Sequence, residues 1–317
     1  MVEAGAVEHL VAGGAPEARP PDGLPVSAPS APKPSLSVII PVHNAEDTLD
    51  EQLEAVLSQE WDQEFEVIVA DNGSTDGTAD VVRQRLRDEV RLRLVDAPAG
   101  QGASVARNAG LRVARADSIA FCDADDVAAP GWVAAMGEAL ASHQLVAGRI
   151  DVESLNPPGL ARSRGLSVSR GPGRFGVVPF AHGCNIGVQR AVLEAVGGWD
   201  EATRIGEDIE LCLRLWQIGV ELHDEPSAVV RYRYHLDRSS QWLQAVRYGA
   251  AHVDLARRFE VRQLPRPRRL EGWRNLAWLV RHARDVLDPG RRPHWLWTAG
   301  LRFGRLRGSV QWRTTYL

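Results

Sequence analysis

The apolar pattern of a folded region opens at residue 36. LSVIIPV (36–42) is a near-continuous apolar run, and a helical period on Leu49, Leu53, Val56 and Leu57 follows a polar break. EVIVAD (66–71) repeats the apolar run and ends on an acid and a turn. The pattern predicts strand, helix, strand. A helix over 79–86, a short strand RLRLV (91–95), a helix over 104–115 and the strand that opens SIAFCDADD (118–126) continue it. Four strands alternating with three helices predict an α/β fold with a mostly parallel central sheet, and strands this apolar need helices on both faces. Ligands in such sheets bind beyond the carboxyl ends of the strands. Three of the four strands end in polar clusters: His43 and Asn44, the segment 71–76, and the segment 123–126. These clusters are expected on one rim.

Beyond Asp126 the pattern predicts a helix over 130–142 and a strand over 144–152. The polar passage 156–179, with its glycines and prolines, reads as a mobile loop and a candidate acceptor-side lid, or as a plain surface insertion. A short helix over 191–196, a helix over 208–218 and a strand over 228–235 follow. From Ser239 the chain reads as helical, with breaks near Pro265, Pro267, Pro289 and Pro293. Residues 12–35 hold seven prolines, so 1–35 is expected to be a disordered arm. The expected organisation is therefore the arm, a domain over 36–238 with halves at 36–126 and 127–238, and a helical extension over 239–317.

Composition adds limits. A chain of 317 residues with 44% hydrophobic residues and a net charge of −4 can bury a substantial core. Cys122, Cys184 and Cys212 stand singly, which excludes a disulfide scaffold and a CxxC metal knuckle. The first ten residues carry acids where a signal peptide needs positive charge, and no apolar run reaches the roughly 18 residues of a membrane span. A cytoplasmic location is the expectation. The small net charge hides an asymmetry, because residues 257–317 contain fifteen arginines against four acids, and residues 1–256 carry a net −15.

Four clusters carry candidate chemistry. Asp123, Asp125 and Asp126 pack three acids into four positions directly after a strand, which requires open solvent or a cation. An extended Asp-x-Asp directs two carboxylates toward one divalent ion or a metal-bound nucleotide, and hard oxygen ligands favour Mg²⁺ or Mn²⁺. A solvated acidic turn is the alternative. In VADNGSTDGTADVV, Asp71 ends a strand and Ser74, Thr75 or Asp76 can cap the next helix, which explains the segment as structure; the functional reading has Asp71 accept a hydrogen bond from a base or ribose. GQGASVARNAG (100–110) begins as a dinucleotide fingerprint, but Val105 replaces the third glycine and the segment follows the third strand. Its Arg107 either faces a nucleotide or lies outward in a salt bridge. Glu207 and Asp208 open a helix, where they either complement its dipole or, folded back to the rim, remove a proton from a hydroxyl nucleophile. His235 ends a strand and either offers a nitrogen to the metal, with Arg238 near for phosphate, or is a surface or hydrogen-bonded histidine; His182, in a turn before Gly183, either lines an acceptor pocket or is of the same plain kind.

SVIIPVHNAEDTLDEQLEAVLSQ, VIVADNGSTDGT, ARNAG, FCDADD and GEDIEL, in this order, resemble the signatures of family 2 glycosyltransferases with the GT-A fold, over residues 36–238. The resemblance implies that Pro41, His43 and Glu46 lie at the nucleotide entrance and Asp71 at the base. It implies Asp123 beside the sugar nucleotide, Asp125 and His235 on a divalent cation, and Asp208, within Glu207-Asp208, as general base. Gln244-Ala245-Val246-Arg247-Tyr248 only approaches the QxxRW of processive synthases, which favours a single-addition enzyme. The implied reaction is metal-dependent transfer of a sugar from a nucleoside-diphosphate sugar to a hydroxyl acceptor with inversion. The competing classes are a nucleotidyltransferase, for which PVHNAED lacks the expected glycine-rich basic segment, and a sugar-nucleotide-binding protein without turnover.

The arginine-rich end also carries five tryptophans from Trp273 to Trp312. Trp273, Leu276, Ala277, Val280, Ala283, Arg284 and Leu287 recur at helical spacing, a stripe suited to docking on the domain. Peripheral contact with anionic lipid is the other reading, and nucleic acid is not expected because no recognition motif accompanies the charge.

Overall fold

A computed structural model describes residues 33–97, 102–157, 169–234, 238–259, 274 and 277–314. Residues 1–32 of the expected arm, His235 and most of the 156–179 passage's first half lie outside the described residues. Lys33 to Ser35, expected in the arm, already pair with the domain through the Lys33–Asp117 ion pair and the Ser35 amide, which donates to the Glu64 carbonyl. From Lys33 onward the chain is one compact unit.

Four parallel strands come from the first half, as the apolar runs predict: β1 (Leu36–Val42), β2 (Phe65–Asp71), β3 (Leu92–Asp96) and β4 (Ser118–Cys122). Their order is β3-β2-β1-β4. Helices α1 (Leu49–Leu57), α2 (Thr78–Arg85) and α3 (Ala103–Val113) make the crossovers. Side-chain alternation divides the core. Leu36, Val38, Ile40, Phe65, Val67 and Val69 pack on one face of the sheet, and Ile39, Ile68, Ile119 and Phe121 on the other. Both faces are covered, which is why the strands read as continuous apolar runs.

The second half extends this sheet. β5 (Val127–Ala128), α4 (Trp132–Ser142), β6 (Leu145–Asp151) and β7 (Ser169–Arg170) lead to the hairpin of β8 (Gly173–Phe175) and β9 (Val178–Phe180). β10 (Asn185–Gln189) inserts antiparallel between β4 and β6 and joins the two halves. Helices α5 (Arg190–Ala195) and α6 (Glu207–Gln217) precede β11 (Leu222–Arg231), which runs parallel to β6. β11 starts six residues before the strand expected at 228, and a bulge between Asp224 and Val229 explains why. Pro226 and its polar neighbours break the alternation there without ending the pairing.

The lid expected at 156–179 requires correction over its described part. Phe175 and Val178 are buried with Ile209, Leu213, Leu255 and Phe259, so the β8–β9 hairpin is anchored to the core.

The C-terminal extension forms α7 (Arg238–Arg258), a 3₁₀ turn (Ala283–Leu287) and α8 (Arg292–Gln311). Arg258 ties the end of α7 to the region of α6: Nη2 donates to Asp200 at 2.8 Å and Nη1 to Thr203 Oγ1 at 2.6 Å. α8 lies against α7 through Gly300, Gly304 and Gly308, one turn apart. A Cβ on Gly304 would stand 2.1 Å from the Val246 carbonyl oxygen, and one on Gly249 would stand 2.2 Å from that of Leu301. Backbone cannot yield as a side chain can. Gly304→Ala is therefore expected to cost about 1–3 kcal/mol, read as a lower thermal midpoint, and an unchanged midpoint would contradict this close packing. Trp273 and Leu276 of the stripe expected on 273–287 lie outside the described residues, and its described part is not docked: Val280 is 71% and Leu287 79% exposed. No helix among the described residues is long and apolar enough to cross a membrane.

Candidate active site

The carboxyl ends of β1, β2 and β3 stand in register, with Val42 beside Asp71 and Asp71 beside Asp96. The rim is held by local hydrogen bonds. Asp71 Oδ1 accepts from the Ser74 amide at 2.9 Å and its hydroxyl at 2.7 Å. Glu46 Oε2 accepts from the Gly77 amide at 2.9 Å at the start of α2, a capping role. His43 Nδ1 donates to the Asn72 carbonyl at 3.1 Å, and Asn72 Oδ1 accepts from the Gly102 amide at 3.2 Å. Pro41 is buried within β1, two residues past the last β1–β4 pair.

The acid run turns at once after β4. Asp123 and Asp126 are brought together with Cys184, one ligand atom from each lying within 4.8 Å of the others. This is a turn rather than an extended Asp-x-Asp, so i and i+3 converge, and Asp125 lies outside that group. The Asp125 side chain is half-buried, and its carbonyl accepts from Arg233 Nε at 2.9 Å. Asp126 Oδ1 accepts from the Arg233 amide at 2.9 Å. Its Oδ2 is buried, without an N–H or O–H donor among the described residues, near the Cys184 thiol. Burial, then the Asp125 and Asp123 charges, push the Asp126 carboxyl well above the ordinary aspartate range. A divalent cation would satisfy the orphaned oxygen and offset the crowded charge, so the acid turn fits such an ion.

Opposite this turn, Gly206 takes a left-handed conformation at φ +74°, which glycine adopts without strain, and α6 begins at the next residue. Asp208 Oδ1 accepts from the Ile209 amide at 2.8 Å, and Oδ2 from the Gly183 amide at 3.2 Å. Burial raises the carboxyls of Asp208 and Glu207, against the opposing amide hydrogen bonds and the charge of Arg107.

Arg107 joins the two sides. It is 2% exposed, donates to Asp123 Oδ1 at 2.9 Å and to Glu207 Oε1 at 3.0 Å, and lies 4.5 Å from the Trp199 ring centre. Burial opposes its charge, but the Asp123 and Glu207 carboxylates prevail and hold it protonated. Its Nη2 also stands 3.4 Å from the Gly183 carbonyl. Gly183 thus contacts both Arg107 and Asp208.

These groups border one cavity of about 370 Å³, lined by Arg107, Asp123, His182, Cys184, Glu207 and Asp208 among others. Pro41, His43, Glu46, Asp71 and Asp125 do not line it. His235 lies outside the described residues, as does the side chain of Arg238, which begins α7. Residues that sequence reasoning missed complete the wall: Tyr232, Tyr234, Gln244, Tyr248, His252 and Trp297. Four of the six come from the C-terminal helices. His252 is pushed down to about 4 by burial and then by Arg305, so this wall presents a neutral imidazole at neutral pH. The near match at Gln244 and Tyr248 was the available signal, one helical turn apart on α7.

Residues 37–197 match the sequence model described as Glycosyl transferase family 2. The chain belongs to this family. A probable glycosyltransferase YdaM of Bacillus subtilis is 24% identical over 249 residues, covering 71% of this chain and 57% of YdaM. The pre-mycofactocin glycosyltransferase of Mycobacterium tuberculosis is 29% identical over 261 residues, covering 77% of this chain and 52% of that one. The family 2 chain thus spans about half the length of these curated relatives. Among solved structures, the mannosyltransferase PcManGT from Pyrobaculum calidifontis, in complex with GDP-Man and Mn²⁺, superposes with a TM-score of 0.64 at 19% identity. It covers 89% of this chain and 88% of its own. GalNAc-T7 with UDP, GalNAc and Mn²⁺ gives 0.55 at 17% identity, over 71% of this chain and 48% of its own. Together with the curled, mostly parallel sheet, these likenesses establish the GT-A fold.

Proposed function

We propose that this chain transfers a sugar from a nucleoside-diphosphate sugar to a hydroxyl acceptor by a single inverting displacement. The observation that carries the reading is that Asp123 and Asp208, 85 residues apart, line one cavity and are linked through Arg107 and Glu207. Asp208 takes the proton of the acceptor hydroxyl as its oxygen bonds to the anomeric carbon and the bond from that carbon to the diphosphate breaks. The amides of Gly183 and Ile209 fix the carboxylate for that step. Arg107 holds Asp123 and Glu207 at a set separation. Asp123 and Asp126, which the turn brings together, with Asp125 beside them, would hold a divalent cation, Mn²⁺ or Mg²⁺, which when bound would offset charge on the leaving diphosphate. His43, Glu46, Asp71 and Pro41 border the nucleotide side, and His182 with the aromatic wall borders the acceptor. His235 is the candidate nitrogen ligand, and Arg238 the candidate phosphate contact. The GDP-Man and UDP complexes of the two fold neighbours, each with Mn²⁺, support this choice of donor and ion.

Two results test the reading here. Asp125→Ala is expected to abolish metal-dependent turnover and weaken the Mn²⁺ paramagnetic-resonance signature of binding, with the fold intact by circular dichroism. Near-normal turnover would remove Asp125 from the ion. The acidic limb of kcat/KM should lie above the ordinary aspartate value of about 3.9, because Asp208 must lose its proton to act and burial raises its carboxyl. Activity then rises with pH through that raised value. A limb at or below the ordinary value would assign the base elsewhere.

A further inference from the structure

The glycine ridge of α8 faces α7, which leaves Phe303, Leu306 and Val310 on the outward face at i, i+3 and i+7. They are 53%, 51% and 73% exposed, large apolar side chains with no interior to enter. Trp242 of α7 stacks on Phe303 at 6.2 Å, and the exposed Leu243 beside it extends the patch across both helices. Arg307 lies exposed within the stripe, and Arg313 just past its end. Trp312 closes the helix, with the Arg257 guanidinium 4.5 Å from its ring centre.

We propose that this face of the α7–α8 pair docks on an anionic phospholipid surface. An apolar stripe set among arginines matches the headgroup boundary, where guanidinium groups meet phosphates while apolar side chains and arginine stems enter the acyl region. Charge selects this occupant over a second copy of the chain. Arg307 and Arg313 lie exposed at this face and Arg257 against the Trp312 that closes it, so a two-fold contact through the face would bring like charges together. The net −15 on residues 1–256 is repelled by the same lipid, which orients the molecule on the surface. Trp297 of α8 and Tyr248 of α7 line the cavity, so one helix pair carries both the lipid face and part of the cavity wall.

The test is sedimentation of the full chain with vesicles of phosphatidylcholine alone and with vesicles containing phosphatidylglycerol. Binding is expected only to the anionic vesicles and should be released by high salt. The double variant Leu306→Glu, Val310→Glu changes two exposed positions. It should keep its melting profile and lose at least about tenfold in partition. Equal binding to neutral vesicles, no binding to either, or undiminished binding by the variant would overturn the proposal. So would a wild-type dimer, seen by light scattering, that the variant dissolves, since the face would then belong to a second copy. None of these readouts involves turnover, so failure of the transfer reading would leave them standing.

Discussion

Asp208→Asn is expected to lower kcat by about 10²–10⁴-fold, the usual contribution of a positioned general base, while donor binding stays close to wild type. The substitution keeps size and one acceptor oxygen for the Ile209 amide at the start of α6, while its NH2 cannot accept from the Gly183 amide, so a modest loss of stability should accompany the loss of rate. What it removes is the carboxylate that receives a proton. Asp208 is suited to that task because burial raises its carboxyl while the two amides keep the ionised form accessible. Pre-steady-state turnover against a donor titration separates the effects. A fall in donor affinity with unchanged kcat would make Asp208 a binding residue instead.

Arg107→Ala is expected to destabilise the fold by about 3–5 kcal/mol, the cost of breaking a buried ion pair and leaving charge uncompensated. For a chain of this size that corresponds to a fall in melting temperature of roughly 5–15 °C. Asp123 and Glu207 would lose the cation between them, and Trp199 the guanidinium above its ring. Arg107→Lys should recover only part of the loss, because a single ammonium cannot bridge two carboxylates as the guanidinium fork does. Full stability in either variant would show that the pairing is dispensable.

The parallel half of the sheet was legible because the physics that builds it is local. LSVIIPV and EVIVAD need both faces covered, and alternation sends Val38 and Ile39 to opposite cores. The rim was legible for the same reason, since Asp71 and the acid run directly follow their strands. Contacts between distant segments were not. Arg107 looked like a surface or phosphate-facing helix position, and only the return of α6 to the rim makes it a buried bridge. The acid run suggests an extended Asp-x-Asp, whereas the turn after Cys122 brings Asp126 to Asp123. Apart from the near match at Gln244 and Tyr248, the residues of α7 and α8 carry no sequence sign of reaching a cavity whose acids, Asp123, Glu207 and Asp208, lie on distant segments of the chain. The stripe through Val280 and Leu287 had helical spacing, yet periodicity cannot say whether a partner face exists.

The central claim is that the acid turn and Asp208 serve one transfer reaction. The most direct measurement is release of nucleoside diphosphate from a panel of sugar nucleotides, with hydroxyl acceptors, in Mn²⁺ or Mg²⁺ and again after chelation. The account predicts release with at least one donor that depends on the ion and is nearly lost in Asp208→Asn. Donor binding with no release under any of these conditions, or release indifferent to both chelation and Asp208, would contradict it.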